Sequence, residues 1–419
     1  MISQKKIYQL NDLLLILIAS TILFSSISTI FMALFIILNI INLRNVIINK
    51  KVVLGAIFLM IPFLLELLFF WNNTPMVLGF KALEKVISFL VFPLFISINY
   101  KKIDFYKIAD LYRYIFSIIL IGVIVRFCIL KPDFVIKYFN GIHLWEMGYV
   151  IANSFNNHAP AVNMHVAFLI LVNIYFLFFG KKNKIFTFIL LIISVIILFI
   201  FNTRVSLGIS ILGSLIIFSV YGYNKFKNNF VYYFTGFIAI ITLIITIAFI
   251  SNPYMKEKYS KVTFSNMDKI GRLDEVENPD AVLHNALVTR VTMWKSSIDL
   301  SKERFFTGFG SRNNKQALLD YYERTDQKFL LKYKFPVHNQ FLDYLLKFGI
   351  LGFLALIYFF YKNFQIAIIS KNVLFFVFIG NFLLSNLVDD FLIRFDGIVF
   401  CAFWCSLAYA EFQNRKRVF

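Results

Sequence analysis

Residues 13–43, LLLILIASTILFSSISTIFMALFIILNIINL, contain no charged side chain. An apolar stretch of about 20 residues is long enough to cross the hydrocarbon core of a bilayer as a helix. This stretch is longer than one crossing requires, and Ser25, Ser26 and Ser28 interrupt it midway. The pattern therefore predicts a hairpin of two transmembrane helices near the start of the chain.

Apolar runs recur along the rest of the 419-residue chain, which is 59% hydrophobic and 16% charged. Ten further spans are predicted at residues 52–71, 83–100, 111–130, 159–180, 185–201, 205–223, 231–250, 349–361, 373–387 and 395–410. The predicted fold class is an all-α polytopic membrane protein of about twelve transmembrane helices. Residues 1–250 hold helices 1 to 9, residues 251–348 a large loop, and residues 349–419 helices 10 to 12 with a short tail.

The net charge of +19 lies in short basic clusters between the apolar runs. Such clusters orient membrane proteins, and their distribution argues against a nucleic-acid partner. If the N-terminus is cytoplasmic, eighteen basic residues fall in cytoplasmic loops, whereas the short loops on the other side carry five: Lys81, Lys131, Lys137, Arg204 and Arg394. This bias predicts that both termini are cytoplasmic.

One predicted outside loop, residues 251–337, is 87 residues long, with fifteen basic and eleven acidic side chains. Loops of this length are usually functional. Residues 287–302 predict an amphipathic helix, and residues 306–312 predict a turn around Gly308 and Gly310. A second helix is predicted to begin near Pro336 and to continue into the tenth span. The apolar face of the first helix is predicted from the helical spacing of Val288, Val291, Trp294 and Ile298.

Arginines are the first candidates for chemistry. Arg204 is the only charged residue between Lys184 and Lys225, and it lies in a short turn joining two predicted spans. Placing a charged side chain within the membrane costs free energy, so such a residue is usually an interfacial anchor or a functional group. The position of Arg204 alone favours neither of these two roles. Arg290 and Trp294 are spaced i and i+4, so they share one helix face. Packing at the membrane interface also explains that pair.

His338 opens the element His338-Asn339-Gln340-Phe341-Leu342 after the long loop. A lone histidine in this place more often begins a helix than performs catalysis. Asp343 and Lys347 are predicted to face water as an i, i+4 pair. The other histidines, for which the spacing indicates no role, are His143, His158, His165 and His284.

The order of these elements carries more information than any one of them. They are Thr203-Arg204 at a span junction, Arg290-x-x-x-Trp294, Gly308-x-Gly310, and His338-Asn339-x-Phe341-Leu342 followed by Gly349-x-x-Gly352. This order resembles the O-antigen ligase and polymerase superfamily of bacterial membrane glycosyltransferases. The resemblance spans residues 201–397 and the twelve-span layout. Looser matches are Phe155-Asn156-Asn157 and Asp389-Asp390 with Gly397.

The resemblance implies a GT-C-like transferase without a cofactor, with its active site facing the periplasm. The donor would be a glycan on undecaprenyl diphosphate, and the acceptor either lipid A-core or a second lipid-linked glycan. Arginine forks bind phosphate oxygens, which suits Arg204 and Arg290 to the diphosphate. Histidine titrates near neutral pH, which suits His338 to deprotonating the acceptor hydroxyl. Further substrate-binding candidates are Trp294, Asn339 and Lys81.

Metal independence is predicted because the early outside segments contain no acidic pair. Ligase and polymerase share these motifs; the single dominant, late loop favours the ligase. A ligase that glycosylates proteins is a third reading. A transporter of lipid-linked glycans is disfavoured, because the chain shows no internal repeat and its long loop carries arginine, tryptophan and histidine elements.

Overall fold

The computed structural model describes residues 4–140, 144–181, 183–251, 264–284 and 286–415. All regular secondary structure in these residues is helical. Seven helical stretches in them are long and apolar enough to cross a membrane, and one of these, Arg204–Ile250, contains two helices. Three shorter apolar helices accompany them. The chain is therefore a multi-pass α-helical membrane protein, and twelve crossings stay a prediction.

The helices fall into three groups along the chain. Those before the long loop are α1 (Gln4–Ser20), α2 (Ser25–Asn42), α3 (Lys50–Gly55), α4 (Ile61–Leu68), α5 (Leu78–Lys85), α6 (Ser88–Ile98), α7 (Phe105–Leu130), α8 (Pro132–Phe139), α9 (Leu144–Asn153), α10 (Ala159–Phe179), α11 (Lys184–Phe201), α12 (Arg204–Phe226) and α13 (Phe230–Ser251). Those of the loop are α14 (Pro279–Val282), α15 (Leu287–Ser301), α16 (Asn314–Arg324) and α17 (Lys328–Tyr333). The last are α18 (Gln340–Ile369), α19 (Val373–Val388) and α20 (Phe395–Arg415).

Two of the predicted spans differ in detail from the helices observed. The predicted span 52–71 is divided into α3, a 3-10 turn at Ile57–Met60 and α4. The division follows Gly55, whose missing Cβ leaves room for the Tyr409 hydroxyl, which donates a hydrogen bond of 2.8 Å to the Val52 carbonyl. The predicted span 83–100 is shorter than expected, because α6 begins only at Ser88 and α5 precedes it as a separate helix.

The centre of the bundle is formed by α10 and α20, which are buried along most of their length. α10 packs against α11 and α12, and α20 packs against α6. Helix α13 differs, because it packs mainly on α12 and leaves most of its apolar side chains exposed. Exposed apolar faces of this kind are expected on helices that contact lipid.

The long loop forms a second hydrophobic core of its own, separate from the bundle. Its buried members include Leu283, Met293, Tyr322 and Leu330. Helix α15 is confirmed and Val288 is buried, but the predicted apolar face is wrong at Ile298, which is 46% exposed. The buried face also carries small hydroxyl residues such as Thr292, whose hydroxyl donates to the Val288 carbonyl at 2.8 Å.

Helix α18 is broken at Gly349, which has a φ of 66° and a ψ of −160°. This backbone conformation is open to glycine and strained for other residues. The break frees helix carbonyls, and the Gly308–Gly310 turn satisfies them: Phe309 N–H donates to the Leu346 carbonyl at 2.7 Å and Gly310 N–H to the Lys347 carbonyl at 3.0 Å. The two glycine motifs of the sequence are therefore one structural unit.

The same turn is fixed from its other side by the segment between α4 and α5. Asn72 donates its side-chain amide to the Thr307 carbonyl at 2.8 Å, and Asn73 accepts from the Arg312 N–H at 3.1 Å. Ser311 donates to the buried Glu66 carboxylate of α4 at 2.5 Å. The turn is thus held between α4 and the first segment of α18.

Asp343 and Lys347 form the predicted i, i+4 ion pair, with 2.6 Å between Oδ2 and Nζ. The prediction that they face water is wrong, because both residues are buried beneath the loop. Asn314 of α16 donates to the second Asp343 oxygen at 2.8 Å. A buried ion pair needs such additional partners, and here they join the loop helices to α18.

We expect Gly308→Ala to destabilise the protein, because Gly308 has a φ of 63° and a Cβ would come within 2.5 Å of the Lys347 backbone. Strain of this kind costs roughly 1–3 kcal/mol before any clash is counted. The thermal unfolding midpoint of the detergent-solubilised protein should fall. Gly380→Ala on α19 is the matched control, since its Cβ would meet no atom within 4 Å. Equal midpoints for the two variants would contradict this account of the turn.

Candidate active site

His338 lies at the junction between the loop core and α18. Its φ of 50° turns the chain sharply before the helix begins. Asn339 then caps α18, and its side-chain oxygen accepts from the N–H groups of Phe341 and Leu342. Capping by asparagine is a strong local signal for a helix start. The side chain of His338 is therefore fixed at the helix entrance with 19% of its surface exposed.

The His338 ring faces the loop that joins α19 to α20. Its Nδ1 lies 3.0 Å from Oδ1 of Asp389. Neighbouring hydrogen bonds hold the two segments in register: Asn339 donates to the Leu387 carbonyl at 2.9 Å, and Leu392 N–H donates to Oε1 of Gln340 at 2.7 Å. The imidazole is thus oriented by a buried carboxylate whose own loop is anchored on both sides.

Asp389 and Asp390 are adjacent, both buried, and differ in ionisation. Burial opposes the charge of Asp389, but the hydrogen bond and charge of His338, with hydrogen bonding by Asp390, outweigh it and lower the pKa of Asp389 below its usual range. Burial and then the Asp389 charge raise the pKa of Asp390 well above its ordinary value. The carboxylate that contacts His338 is therefore the charged member of the pair.

The loop helix α15 contributes Trp294 and Arg290. The indole N–H of Trp294 donates to the His338 carbonyl at 3.2 Å, which ties α15 to the histidine. Arg290 lies one turn earlier on the same face. Both side chains are half-buried. The predicted i, i+4 pair therefore lies beside His338.

Arg204 reaches the same region from the bundle. Asn202 adopts the left-handed conformation that ends α11, and Arg204 is the first residue of α12. Thr203, between them, accepts a hydrogen bond of 2.7 Å from the Asn163 side chain of α10. This short turn fixes the start of α12 and the half-buried Arg204 at the end of the bundle that carries the long loop.

Tyr149 of α9 shows that these groups share one electrostatic environment. Burial raises the pKa of Tyr149, the charges of Arg290 and Arg204 lower it, and the charge of Asp389 raises it. Both arginines and the carboxylate that orients His338 thus act on a single phenol. Arg204, Arg290 and Asp389, separated by many residues in the chain, therefore all lie near enough to this phenol for their charges to act on it.

His158 and Arg394 belong to the same region, although no sequence pattern groups them with His338. The His158 ring lies 5.9 Å from that of Tyr149. Burial, and then the charge of Arg394, lower the pKa of His158 to about 4, so this imidazole is neutral near pH 7. Their sequence signals are weak, because His158 directly precedes α10 and Arg394 is one basic residue of a short loop.

Three buried polar atoms in this region have no hydrogen-bond partner among the described residues, as some others in the bundle also do. They are Nδ1 of His158, Oδ1 of Asp390 and Nε of Arg394. Buried polar groups are nearly always paired, so these three atoms are open to a polar ligand. A sugar hydroxyl or a phosphate oxygen has the required donors and acceptors.

The remaining candidates lie elsewhere. Lys81 is exposed on α5, and no contact among the described residues joins it to His338. His165 is buried within the bundle with its Nε2 3.3 Å from Asp396, and His284 packs among aromatic rings of the loop core. His143 lies outside the described residues.

His338, Asp389 and Asp390 also have the ligand types of a divalent cation site. One ligand atom from each lies within 4.8 Å of the others. Imidazole and carboxylate ligands bind several transition metals. The metal independence predicted from the early loops therefore has a specific alternative, which is a divalent cation bound by His338, Asp389 and Asp390.

The fold and this cluster define a multi-pass membrane protein with a polar, arginine-rich site where its long loop meets the helix bundle. The family model described as O-antigen ligase matches residues 189–357, a range that contains Arg204, Arg290, Trp294, His338 and Asn339. In these residues the chain is similar to the O-antigen ligase family, and the match supports a relationship to the O-antigen ligase and polymerase superfamily. No curated protein matches the chain.

Proposed function

We propose that this protein transfers a glycan from undecaprenyl diphosphate to an acceptor hydroxyl at the periplasmic face of a bacterial inner membrane. One observation supports the proposal: His338 lies 3.0 Å from the buried Asp389 carboxylate, and the charges of this carboxylate and of two half-buried arginines, Arg204 and Arg290, act together on Tyr149. An imidazole suits proton transfer from a hydroxyl, and guanidinium groups suit the binding of phosphate.

His338 is the general base of the proposed reaction. With Asp389 as the hydrogen-bond acceptor, Nδ1 carries the proton and Nε2 keeps its lone pair. Nε2 takes the proton of the acceptor hydroxyl while the hydroxyl oxygen attacks C1 of the donor sugar. The bond between C1 and the diphosphate oxygen breaks, and undecaprenyl diphosphate leaves with the electron pair.

Arg204 and Arg290 stabilise the leaving diphosphate. Negative charge grows on its oxygens as the C1–O bond breaks, and preorganised cations lower the free energy of that transition state. Guanidinium groups remain charged in a low-dielectric site and bind phosphate through two parallel hydrogen bonds. These two residues supply the positive charge for which other transferases use a metal ion, so the reaction is proposed to be metal-independent and to need no cofactor.

The direct test is release of undecaprenyl diphosphate by the purified protein given a lipid-linked donor and an acceptor. Transfer should continue after treatment with a chelator, because Arg204 and Arg290 carry the positive charge. Loss of turnover on chelation, with rescue by magnesium or manganese, would assign His338, Asp389 and Asp390 to a metal site instead. A protein that moves the donor between membrane faces without releasing diphosphate would be a transporter.

The acceptor separates ligase from polymerase. Our preferred reading is an O-antigen ligase with lipid A-core as acceptor, because the chain has one dominant, late loop. The alternative is a polymerase that uses a second lipid-linked glycan. Offering the purified protein each acceptor with the same donor distinguishes them, since only the accepted lipid gains mass.

We expect Arg204→Lys and Arg290→Lys each to lower turnover by about 10²-fold or more, the scale seen when one stabilising donor is removed from a transition state. Lysine keeps the charge but loses the planar fork. Membrane insertion and expression should be normal. Arg272→Lys is the control, because Arg272 is an exposed arginine of the loop. Near-normal turnover in both site variants would mean that these arginines are interfacial anchors.

We expect His338→Gln to lower turnover by about 10²-fold or more, because glutamine can form hydrogen bonds but cannot take the proton of the acceptor hydroxyl. His158→Gln is the matched control, since it replaces an imidazole of the same region that is not the proposed base, and it should retain more turnover than His338→Gln. Substantial activity in His338→Gln would reduce His338 to a positioning residue.

A further inference from the structure

Gln340 is a fully buried amide two residues after His338, and the proposed reaction gives it no role. Its side chain forms one hydrogen bond to each of two different segments. Oε1 accepts from the Leu392 N–H at 2.7 Å, and Nε2 donates to Oδ2 of Asp343 at 3.0 Å. A flipped amide would set its NH₂ group against an N–H and its oxygen against a carboxylate, so these two neighbours define one orientation of the amide.

Asp343 is a fixed partner for this amide, because two further groups hold its carboxylate beneath the long loop. Nζ of Lys347 lies 2.6 Å from Oδ2, and Asn314 of α16 donates to Oδ1 at 2.8 Å. A buried polar network in which every member has partners is rigid, since moving one group would leave the others unsatisfied. The donor end of Gln340 is therefore tied to the junction between α16 and α18.

The acceptor end of Gln340 contacts a turn that belongs to the candidate active site. Leu392 lies in the 3-10 turn Phe391–Ile393, which begins two residues after Asp389. The turn packs closely on the start of α20, where a Cβ on Gly397 would come within 2.2 Å of the Phe391 carbonyl oxygen. The turn therefore lies between the start of α20 and the buried amide of Gln340.

Two consecutive residues at the start of α18 thus hold the segment of Asp389 on both sides. Asn339 donates to the Leu387 carbonyl at 2.9 Å, two residues before Asp389, and Gln340 accepts from the Leu392 N–H, three residues after it. Both hydrogen bonds involve backbone groups of the segment, so they fix the path of its main chain. They thereby fix the point from which the Asp389 carboxylate reaches the imidazole 3.0 Å away.

We propose that Gln340 is a positioning residue for the transfer reaction: it holds the segment of Asp389 so that this carboxylate orients the His338 imidazole toward the acceptor hydroxyl. The inference rests on the proposed function, which supplies the reaction. Displacing a catalytic group by about 1 Å lowers a rate by as much as ~10²-fold, so a hydrogen bond that fixes the segment matters for turnover. Through Asp343, the same amide links the placement of the long loop to the geometry of the base.

Gln340→Met is the informative substitution, because methionine is a flexible side chain of similar length that removes both hydrogen bonds. Asn339 is unsuitable, since its loss would also remove the cap of α18. Gln365→Met is the matched control: Gln365 lies near the other end of α18, and its amide also forms two hydrogen bonds, with Tyr361 and Lys362. Gln340→Asn, which keeps the amide but shortens the side chain by one methylene, is the second variant should Gln340→Met fail to fold.

The first measurement is hydrogen exchange of the Leu392 backbone amide in the full-length protein in lipid nanodiscs, which does not depend on transfer. Gln340→Met should accelerate this exchange by about tenfold, as expected when one buried hydrogen bond of ordinary net strength is lost. Gln340→Asn should change it in the same direction, and Gln365→Met should leave it unchanged. Unchanged exchange in both Gln340 variants would overturn the proposal, since the amide would then not hold the segment.

The second measurement separates positioning from a general structural role. Gln340→Met should lower kcat by about tenfold or more while KM for the lipid-linked donor stays within about twofold, because Arg204 and Arg290 bind the donor in the proposed reaction. The loss should disappear in an Asp389→Ala background, since Gln340 acts through Asp389, and should multiply with the loss caused by Arg204→Lys. An equal loss of kcat with and without Asp389 would overturn the positioning role.

Failure of the proposed function has a different signature. A wild-type protein that releases no undecaprenyl diphosphate from a donor would refute the transfer reaction, whereas the exchange of the Leu392 amide would still show whether Gln340 holds the segment of Asp389. Faster exchange in Gln340→Met with an unchanged kcat would overturn the positioning role and leave the proposed function intact.

Discussion

The break in α18 at Gly349 is the constraint on which the site depends. In a low-dielectric environment a helix cannot leave carbonyl groups without partners, because each unsatisfied group costs several kcal/mol. The Gly308–Gly310 turn supplies the missing donors, and Ile350 N–H donates in return to the Phe305 carbonyl at 2.8 Å. The loop is thereby fixed to the bundle at the helix that His338 precedes, so the position of the histidine follows from backbone hydrogen bonding.

Around this fixed point the site is assembled from distant parts of the chain. Tyr149 and His158 come from the segment before and at the start of α10, Arg204 from the start of α12, Arg290 from the loop, and Asp389 from the segment after α19. Each of these residues lies near the end of a helix or on a helix that packs against another of these helices. Charges placed there avoid the apolar interior and still remain partly dehydrated, which strengthens their interactions with an anionic substrate.

Arg204 is the single charge of an otherwise apolar pair of helices. The short Asn202–Thr203–Arg204 turn places its guanidinium group at the start of α12, and no other charged residue lies between Lys184 and Lys225. A charge at the end of a helix avoids the apolar interior that the rest of α11 and α12 occupies.

The sequence by itself determined the membrane class and the helical fold, because twenty-residue apolar runs and their length are local properties. It also determined the helix start after Asn339, since capping is local too. Its expectations failed where burial is decided by contacts distant in sequence: Asp343 and Lys347 form their predicted pair but lie beneath the loop, and Ile298 faces outward while hydroxyl residues of α15 are buried.

Only the tertiary structure decided which groups meet. Asp389 matched the superfamily loosely in sequence, yet its hydrogen bond to His338 joins residues 51 positions apart. His158 and Arg394 had no signal of their own, because a pKa shift and an unpaired polar atom arise from neighbours that other helices provide. Local patterns specify which segments are helices and how they begin; the chemistry depends on distances between helix ends, and those are set by packing and by the backbone groups that packing must satisfy.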